Sequence, residues 1–178
     1  MNPNDNPERQ RINRNPRLNG AVKRYHVWPT LQQQTVADHV YHVLRIYWEM
    51  WGPPEPRVLT HILWHDTELQ SGDVPFGAKY RDQLLKARHE AAELSARKDI
   101  AGARAIVEIS DLERCQFKIA DLLEMWEFGV HEAALGNTLM QPVIDDCIAA
   151  ACAEAERHML QGKVLEWTNN NLTLWGLL

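Results

Sequence analysis

The stretch HILWHDTELQSGDVP, residues 61–75, contains the feature that most limits what this chain can fold into. His65 and Asp66 are adjacent there, and mostly apolar residues precede them on a predicted helix. An imidazole and a carboxylate are costly to bury unless each finds a polar partner. A divalent metal suits both groups, because imidazole nitrogens and carboxylate oxygens are good ligands for first-row cations. The alternative is an ordinary helix end with a histidine at the surface.

The overall composition is that of a soluble globular protein with one domain. The 178 residues are 45% hydrophobic and 24% charged, which is enough to bury a substantial core. A formal net charge of −5 gives no general affinity for nucleic acid, so we expect no stable nucleic-acid complex. The basic residues concentrated early in the chain indicate either a solvated arm or a site for a phosphate-bearing ligand: Arg9, Arg11, Arg14, Arg17, Lys23 and Arg24.

The cysteine pattern and the N-terminal residues favour a cytoplasmic protein. Cys115, Cys147 and Cys152 are odd in number and form no CxxC motif, so we expect reduced thiols. The N-terminus lacks the apolar segment of a signal peptide, and no run of residues is apolar enough for a membrane span.

Helical periodicity runs through most of the chain after a loose, polar N-terminal arm at residues 1–20. The predicted helices cover residues 35–51, 56–71, 77–99, 100–135 with a break near 110–111, and 140–161. Thr35 is the expected N-cap of the first, with Asp38 in the capping-box position. No alternation of apolar and polar residues predicts a strand, and no repeat marks a domain boundary. The expected fold is all-α, a single-domain helical bundle over residues 21–178.

Four candidate metal ligands lie on three of these predicted helices. They are His39 on the first helix, His65 and Asp66 on the second, and Asp121 on a later one. Singly, each has another explanation: His39 as a hydrogen-bonded core histidine, for instance, or Asp121 as an ion-pair partner of Lys118. Together they form a set that helices can bring to one point in a bundle core. Two imidazoles and two carboxylates favour Mn, Fe, Co or Zn over Ca or Mg.

Three motifs in this order and spacing resemble the HD-domain phosphohydrolases. They are KRYHVWPTLQQQTVADHV, HILWHDTELQSGDVPFGAKY and KIADLLEM, within a matching region of roughly residues 22 to 127. Within this family the chain resembles the small YfbR-type 5′-deoxynucleotidases and the related phage dATP triphosphohydrolases. The three motifs together form a specific signature of this family, whereas an HD dipeptide alone is a weak signal for it.

The resemblance implies a role for each matching residue. A divalent transition metal (Zn, Co or Mn) would be held by His39, His65, Asp66 and Asp121. Glu68 would position or deprotonate the attacking water, and Asp73 would contact the sugar or assist proton transfer. Substrate-binding roles fall to Arg24 and Lys79 at the phosphate and to Tyr25 and Val27 at the base and sugar. For Lys79 and Asp73, a surface lysine and a loop-capping aspartate remain alternatives.

One position departs from the family's pattern. In the resembled enzymes the glutamate stands three residues after the HD aspartate, whereas Glu68 stands two after Asp66. On an ideal helix two residues rotate by about 200° and three by about 300°, so the shift moves the carboxylate to another side. Either the helix ends early and Glu68 swings round, or Asp73 takes over part of its role.

The resemblance implies a metal-dependent phosphohydrolase that cleaves the 5′ phosphate ester of a deoxynucleotide. We favour a dATP-type triphosphohydrolase, in the host cytoplasm if a phage encodes it, over a 5′-deoxynucleotidase acting on monophosphates. A non-catalytic nucleotide-binding HD module is the main rival, and a basic-arm nucleic-acid binder is another. We also expect a homo-oligomer, because enzymes of this kind commonly are oligomers and the C-terminal residues Trp167, Leu174, Trp175, Leu177 and Leu178 are apolar. Folding of this end onto its own core explains them equally.

Overall fold

The computed structural model describes residues 16–25, 29–66 and 107–177, together with the single helical positions 87, 91, 94 and 98. Its α-helices are α1 (Pro16–Gly20), α2 (Val36–Trp51), α3 (Pro56–Trp64), α4 (Asp111–Ala134), α5 (Gln141–Glu156) and α6 (Gln161–Leu174). A short 3₁₀ helix, Thr138–Met140, precedes α5. Within these residues there is no strand, only an isolated bridge between Lys23 and Thr35. The predicted all-α class is confirmed.

Helix α2 begins at the predicted capping box. The Thr35 hydroxyl accepts from the Asp38 N–H at 3.3 Å, and the Asp38 carboxylate accepts from the Thr35 N–H at 3.0 Å. These two bonds satisfy backbone donors that a helix start otherwise leaves without partners. The helix ends at Trp51, and Gly52 follows with φ of +86°, a left-handed conformation that glycine adopts without steric cost.

Helix α3 begins at Pro56, as predicted, but it ends at Trp64. His65 and Asp66 therefore follow the helix directly, and the prediction that they lie on it is wrong. The His65 ring makes a hydrogen bond of 2.7 Å to the carbonyl of Ile62. A basic side chain that takes up one of the last carbonyls is a common helix ending.

Helix α4 begins where the sequence predicts a break. Ser110 is its N-cap and forms a second capping box with Glu113. At its other end, Gly136 has φ of +101°, and Asn137 N–H donates to the carbonyl of Glu132 at 2.9 Å. This is the Schellman pattern, in which a left-handed residue lets the chain satisfy the last helical carbonyls.

The predicted helix over residues 140–161 is wrong in its extent, because α5 ends at Glu156 and α6 begins at Gln161. The ending of α5 has the Schellman pattern again: Leu160 N–H donates to the carbonyl of Ala155 at 2.9 Å, and Met159 has φ of +55°. Glycine is the usual signal for this ending, and here methionine occupies the left-handed position. The sequence therefore carries no marker for the break.

The chain divides into two compact units. The first consists of Met1–Tyr41 and Leu59–Glu108, the second of His42–Val58 and Ile109–Leu178. In the first unit, buried polar side chains stand out: Asn19, Arg24, Gln34, His39 and Asp66. The second has a largely apolar core, which includes Val43, Ile46, Ile119, Leu122, Leu123, Met140, Cys147, Ala151 and Val164.

The end of the predicted N-terminal arm belongs to the described structure. Residues 16–20 form α1, and Asn19 is buried there. Whether the remaining chain is one domain over 21–178 stays a prediction. The three cysteines are free thiols, as expected. No helix in the described ranges combines the length and the apolar character needed to cross a membrane.

Candidate metal centre

His39 is held on the buried face of α2. The side chains at residues 36, 39, 43, 46, 47 and 50 are all buried, and this spacing puts them on one side of the helix. His39 itself has no exposed surface. A helix face that is otherwise apolar thus carries one imidazole into the interior, where it needs a polar partner.

His65 is oriented by its bond to the main chain. A carbonyl oxygen only accepts hydrogen bonds, so the Nδ1 that faces Ile62 O at 2.7 Å carries the proton in the neutral ring. Its Nε2 then keeps the lone pair that a metal needs. Metal-ligating histidines characteristically donate the other ring N–H to a carbonyl or carboxylate in this way.

The two imidazoles point their Nε2 atoms at the same place. His39 Nε2 and His65 Nε2 are 3.1 Å apart, and the ring centroids are 5.2 Å apart. Two nitrogens that each lie about 2.0–2.1 Å from one tetrahedral ion are roughly 3.3 Å from each other. The spacing of this pair, which we call the His39–His65 pair, fits two ligands of one metal ion.

Two of the four predicted ligands, His39 and His65, come together within the first unit, and this pair could bind a metal ion. Imidazole ligands of this kind fit a transition metal. Asp121, another predicted ligand, lies on α4 in the second unit, and its ligand role stays a prediction.

Asp66, the fourth predicted ligand, lies beside the pair. Its Oδ2 is 3.9 Å from His39 Nε2 and accepts a hydrogen bond of 2.6 Å from Arg24 Nη1. Both partners of this ion pair are buried, with 9% and 7% of their side-chain surface exposed. A buried charge pair is retained only where its geometry is good. The ligand role of Asp66 stays a prediction.

Arg24 reaches Asp66 from a segment that is paired with the start of α2. Arg24 N–H donates to the carbonyl of Gln34 at 2.9 Å, and Val36 N–H donates to the carbonyl of Val22 at 2.9 Å. Tyr25 follows with φ of +54°, a backbone conformation that residues other than glycine rarely adopt and that is often found at functional sites. The Arg24 guanidinium lies 5.7 Å from the centre of the Tyr25 ring.

Lys118 brings a cation to Asp121. Its Nζ donates to Asp121 Oδ2 at 2.6 Å from one turn earlier on α4, and a third of its side chain is exposed. The sequence named Lys118 only as an alternative partner of this aspartate. The spacing of three residues was the available signal that both side chains lie on one helix face.

Four predicted site residues, Val27, Glu68, Asp73 and Lys79, lie outside the described residues. Their roles stay predictions, as does the consequence of the shifted spacing of Glu68. One residue that the sequence analysis missed is Asn19, whose buried side-chain amide donates to the carbonyl of Asp66 at 3.1 Å. The sequence gives no signal for it, because the two residues are 47 positions apart.

A second histidine-containing cluster lies within the second unit. We call it the Arg45 cluster; its members are His42, Arg45, Glu49, Glu127 and His131. The Arg45 guanidinium binds Glu49 at 2.8 Å, the Glu127 carboxylate and the His42 ring. Burial raises the pKa of Glu127, although Arg45 acts against this. Burial also lowers the pKa of His131, and the charges of Arg45 and His42 lower it further.

In comparisons of this chain with known proteins, no family model, no curated protein and no solved structure matches it. The resemblance to HD-domain phosphohydrolases therefore stays a prediction that rests on the sequence motifs.

Proposed function

We propose that this protein is a metal-dependent phosphohydrolase that cleaves the 5′ phosphate ester of a deoxynucleotide. The observation that carries the proposal is the His39–His65 pair, two Nε2 atoms 3.1 Å apart with His65 oriented by a main-chain carbonyl. A buried guanidinium, Arg24, lies beside it on Asp66. Two imidazoles that can hold a metal ion, next to the guanidinium of Arg24, suit a reaction in which water attacks an anionic phosphoryl group.

His39 and His65 would hold the metal ion, with Asp66 and Asp121 as the further ligands that the resemblance implies, and Zn, Co or Mn fits this donor set. When bound, such an ion supplies polarisation of a phosphoryl oxygen and lowers the pKa of a water molecule. The buried ring of His39 and the main-chain bond of His65 fix the two imidazoles before any ligand arrives.

The chain's own cations would bind the phosphate. The Arg24 guanidinium can bind two phosphate oxygens. Lys79 is expected to contribute a second positive charge, and Tyr25 and Val27 to pack against the sugar and base. A cation that meets the phosphate stabilises the charge that builds up on it in the transition state.

The reaction would break the bond between the phosphorus nearest the sugar and O5′. Water adds to this phosphorus and gives up a proton to a carboxylate, with Glu68 or Asp73 the candidate base, while O5′ leaves and gains a proton. A deoxynucleoside triphosphate would yield deoxynucleoside and triphosphate, and a monophosphate would yield deoxynucleoside and phosphate. We propose the triphosphate, of the dATP type, as substrate, and the 5′-deoxynucleotidase activity as the alternative.

One observation favours a second candidate, a nucleotide-binding module without catalysis. The Arg24 guanidinium is bonded to Asp66 at 2.6 Å, and a structural ion pair explains that contact without any substrate. The shifted sequence position of Glu68 favours the same candidate, because a base in the wrong place would stop turnover but leave nucleotide binding intact.

Metal analysis combined with product chromatography separates these candidates. The protein is stripped of metal, reloaded with Mn, Co or Zn, and incubated with each deoxynucleoside mono- and triphosphate. Release of triphosphate from dATP supports the main proposal, and release of phosphate from monophosphates supports the alternative. Metal binding without turnover of any nucleotide supports the binding module. His131→Ala is a matched control, because it removes a histidine of the Arg45 cluster.

A further inference from the structure

The amide of Asn19 contacts the backbone of the residue next to the His39–His65 pair. Asn19 is 6% exposed, and its Nδ2 donates to the carbonyl of Asp66 at 3.1 Å. The contact joins residues 47 positions apart, from α1 to the point where the chain has just left α3. An asparagine in a five-residue helix near the N-terminus is thus fixed to the dipeptide that carries two predicted ligands.

The Asn19 amide contacts the chain at the point where it leaves α3. Helix α3 ends at Trp64, and His65 and Asp66 lie just beyond its last residue. Two side-chain bonds hold this part of the chain: the His65 ring takes the carbonyl of Ile62, and the Asn19 amide takes the carbonyl of Asp66. One fixes the imidazole and the other fixes the backbone that carries the carboxylate.

The direction of the Asp66 carboxylate depends on this backbone. Its Oδ2 lies 2.6 Å from Arg24 Nη1 and 3.9 Å from His39 Nε2. A small rotation of the residue's backbone would move the carboxylate away from both. Groups that orient metal ligands without touching the metal commonly change metal affinity by 10–100-fold when they are removed.

We propose that Asn19 is a positioning residue for the metal centre, acting through the carbonyl of Asp66. This inference rests on the proposed function only in assuming that the centre binds a metal; it does not require that the bound nucleotide be hydrolysed. It also makes residues 16–20 a part of the site, although the sequence assigns them to a loose arm.

The test compares Asn19→Leu, which keeps the size of the side chain and loses the amide donor, with Asn19→Gln, which keeps an amide. Co²⁺ is titrated into the metal-free full-length protein, and its visible absorption gives both the dissociation constant and a signature of the coordination. Thermal unfolding of each metal-free variant is measured in parallel. Asn137→Leu is the matched control, because Asn137 is also buried and donates to Glu132 at 2.8 Å.

We expect Asn19→Leu to bind Co²⁺ about 10–100-fold more weakly and with an altered spectrum. Asn19→Gln should lie closer to wild type, and Asn137→Leu should lower thermal stability with no change in affinity. The proposal is overturned if Asn19→Leu binds like wild type, if the two leucine variants weaken binding equally, or if wild type binds no Co²⁺. Should Asn19→Leu fail to fold, Asn19→Ser, whose shorter hydroxyl does not reach as far, replaces it, and wild-type affinity then overturns the proposal.

The wild-type hydrolysis assay distinguishes failure of this inference from failure of the proposed function. Turnover with an unchanged Asn19→Leu affinity removes the positioning role alone. Tight Co²⁺ binding that Asn19→Leu weakens, with no turnover of any nucleotide, removes the hydrolase and leaves the positioning role intact.

Discussion

The His39–His65 pair, with its neighbours Arg24 and Asp66, and the Arg45 cluster contain similar residues but differ in what their ring nitrogens face. Each region combines two imidazoles with carboxylate and guanidinium groups within one unit of the protein. In the Arg45 cluster the guanidinium itself contacts Glu49, Glu127 and the His42 ring, while His131 Nε2 lies 3.9 Å from Glu127. In the His39–His65 pair, the two ring nitrogens meet each other at 3.1 Å instead.

This difference indicates what each set of residues can do. In the Arg45 cluster the His42 ring faces the guanidinium, and burial together with neighbouring charges lowers the pKa of His131. In the pair the two Nε2 atoms face each other at a spacing that fits two ligands of one ion. Residue types alone therefore do not make a metal centre, because the direction of the ring nitrogens decides it.

The largest effect is expected from removing one imidazole of the pair. His39→Ala takes away a ligand, so we expect metal affinity to fall by more than about 100-fold, the upper range for groups that only support ligands. Hydrolysis should fall with it. Metal content after dialysis and product chromatography measure the two effects. His131→Ala is the control and should keep both properties, and equal losses in the two variants would mean that the comparison of the clusters is mistaken.

The sequence predicted much of this arrangement wherever a local signal marked it. Thr35 and Asp38 predicted the start of α2, Ser110 lies where a break was expected, and the spacing of His39 on an apolar helix face identified a buried imidazole. Each of these features depends on residues three or four positions apart, which is the range over which helix periodicity and capping act.

The features that the sequence did not reveal depend on contacts far along the chain or on an unusual residue. The bond from Asn19 to Asp66 spans 47 positions, and no pattern predicts it. The break between α5 and α6 has Met159 in a position where glycine is the usual signal. Helix α3 ends early, at the point where the His65 ring bonds to the main-chain carbonyl of Ile62. The sequence did not show this end, because apolar residues continue at helical spacing almost up to His65.

Replacing the arginine of each region should lower the free energy of unfolding by different amounts, because Arg24 is more deeply buried than Arg45. Arg24→Gln leaves the Asp66 carboxylate in the interior without its guanidinium, and breaking a buried pair costs about 3–5 kcal/mol of unfolding free energy. Arg45 is a quarter exposed, so Arg45→Gln should cost less, because water screens the carboxylates that remain. Urea denaturation of the metal-free proteins measures both values. A larger loss for Arg45→Gln would contradict the proposed contrast.

Metal should stabilise the protein through the pair and not through the Arg45 cluster. A ligand that binds only the folded state at 100 times its dissociation constant adds about 2.7 kcal/mol to the unfolding free energy. We expect added Zn²⁺ or Co²⁺ to raise the melting temperature of wild type and of His131→Ala. The melting temperature of His65→Ala should not respond. A rise in that variant would place the bound ion elsewhere on the protein.

The smallest effect is expected from the pH response of His131. Because the folded protein lowers the pKa of this imidazole below 6.5, the unfolded chain takes up the proton more readily. The free energy of unfolding should therefore rise as the pH increases from the lowered pKa towards 6.5. Below the lowered pKa, this contribution of His131 to stability should be lost completely. The side chain is 47% exposed, so solvent screening keeps the change below about 1 kcal/mol. Melting temperatures of wild type and His131→Asn between pH 5 and pH 7.5 measure it, because the variant lacks this proton uptake. If the two curves run parallel, neither burial nor the charges of Arg45 and His42 lower the pKa of His131, and the contrast between the two regions rests on the geometry of the ring nitrogens alone.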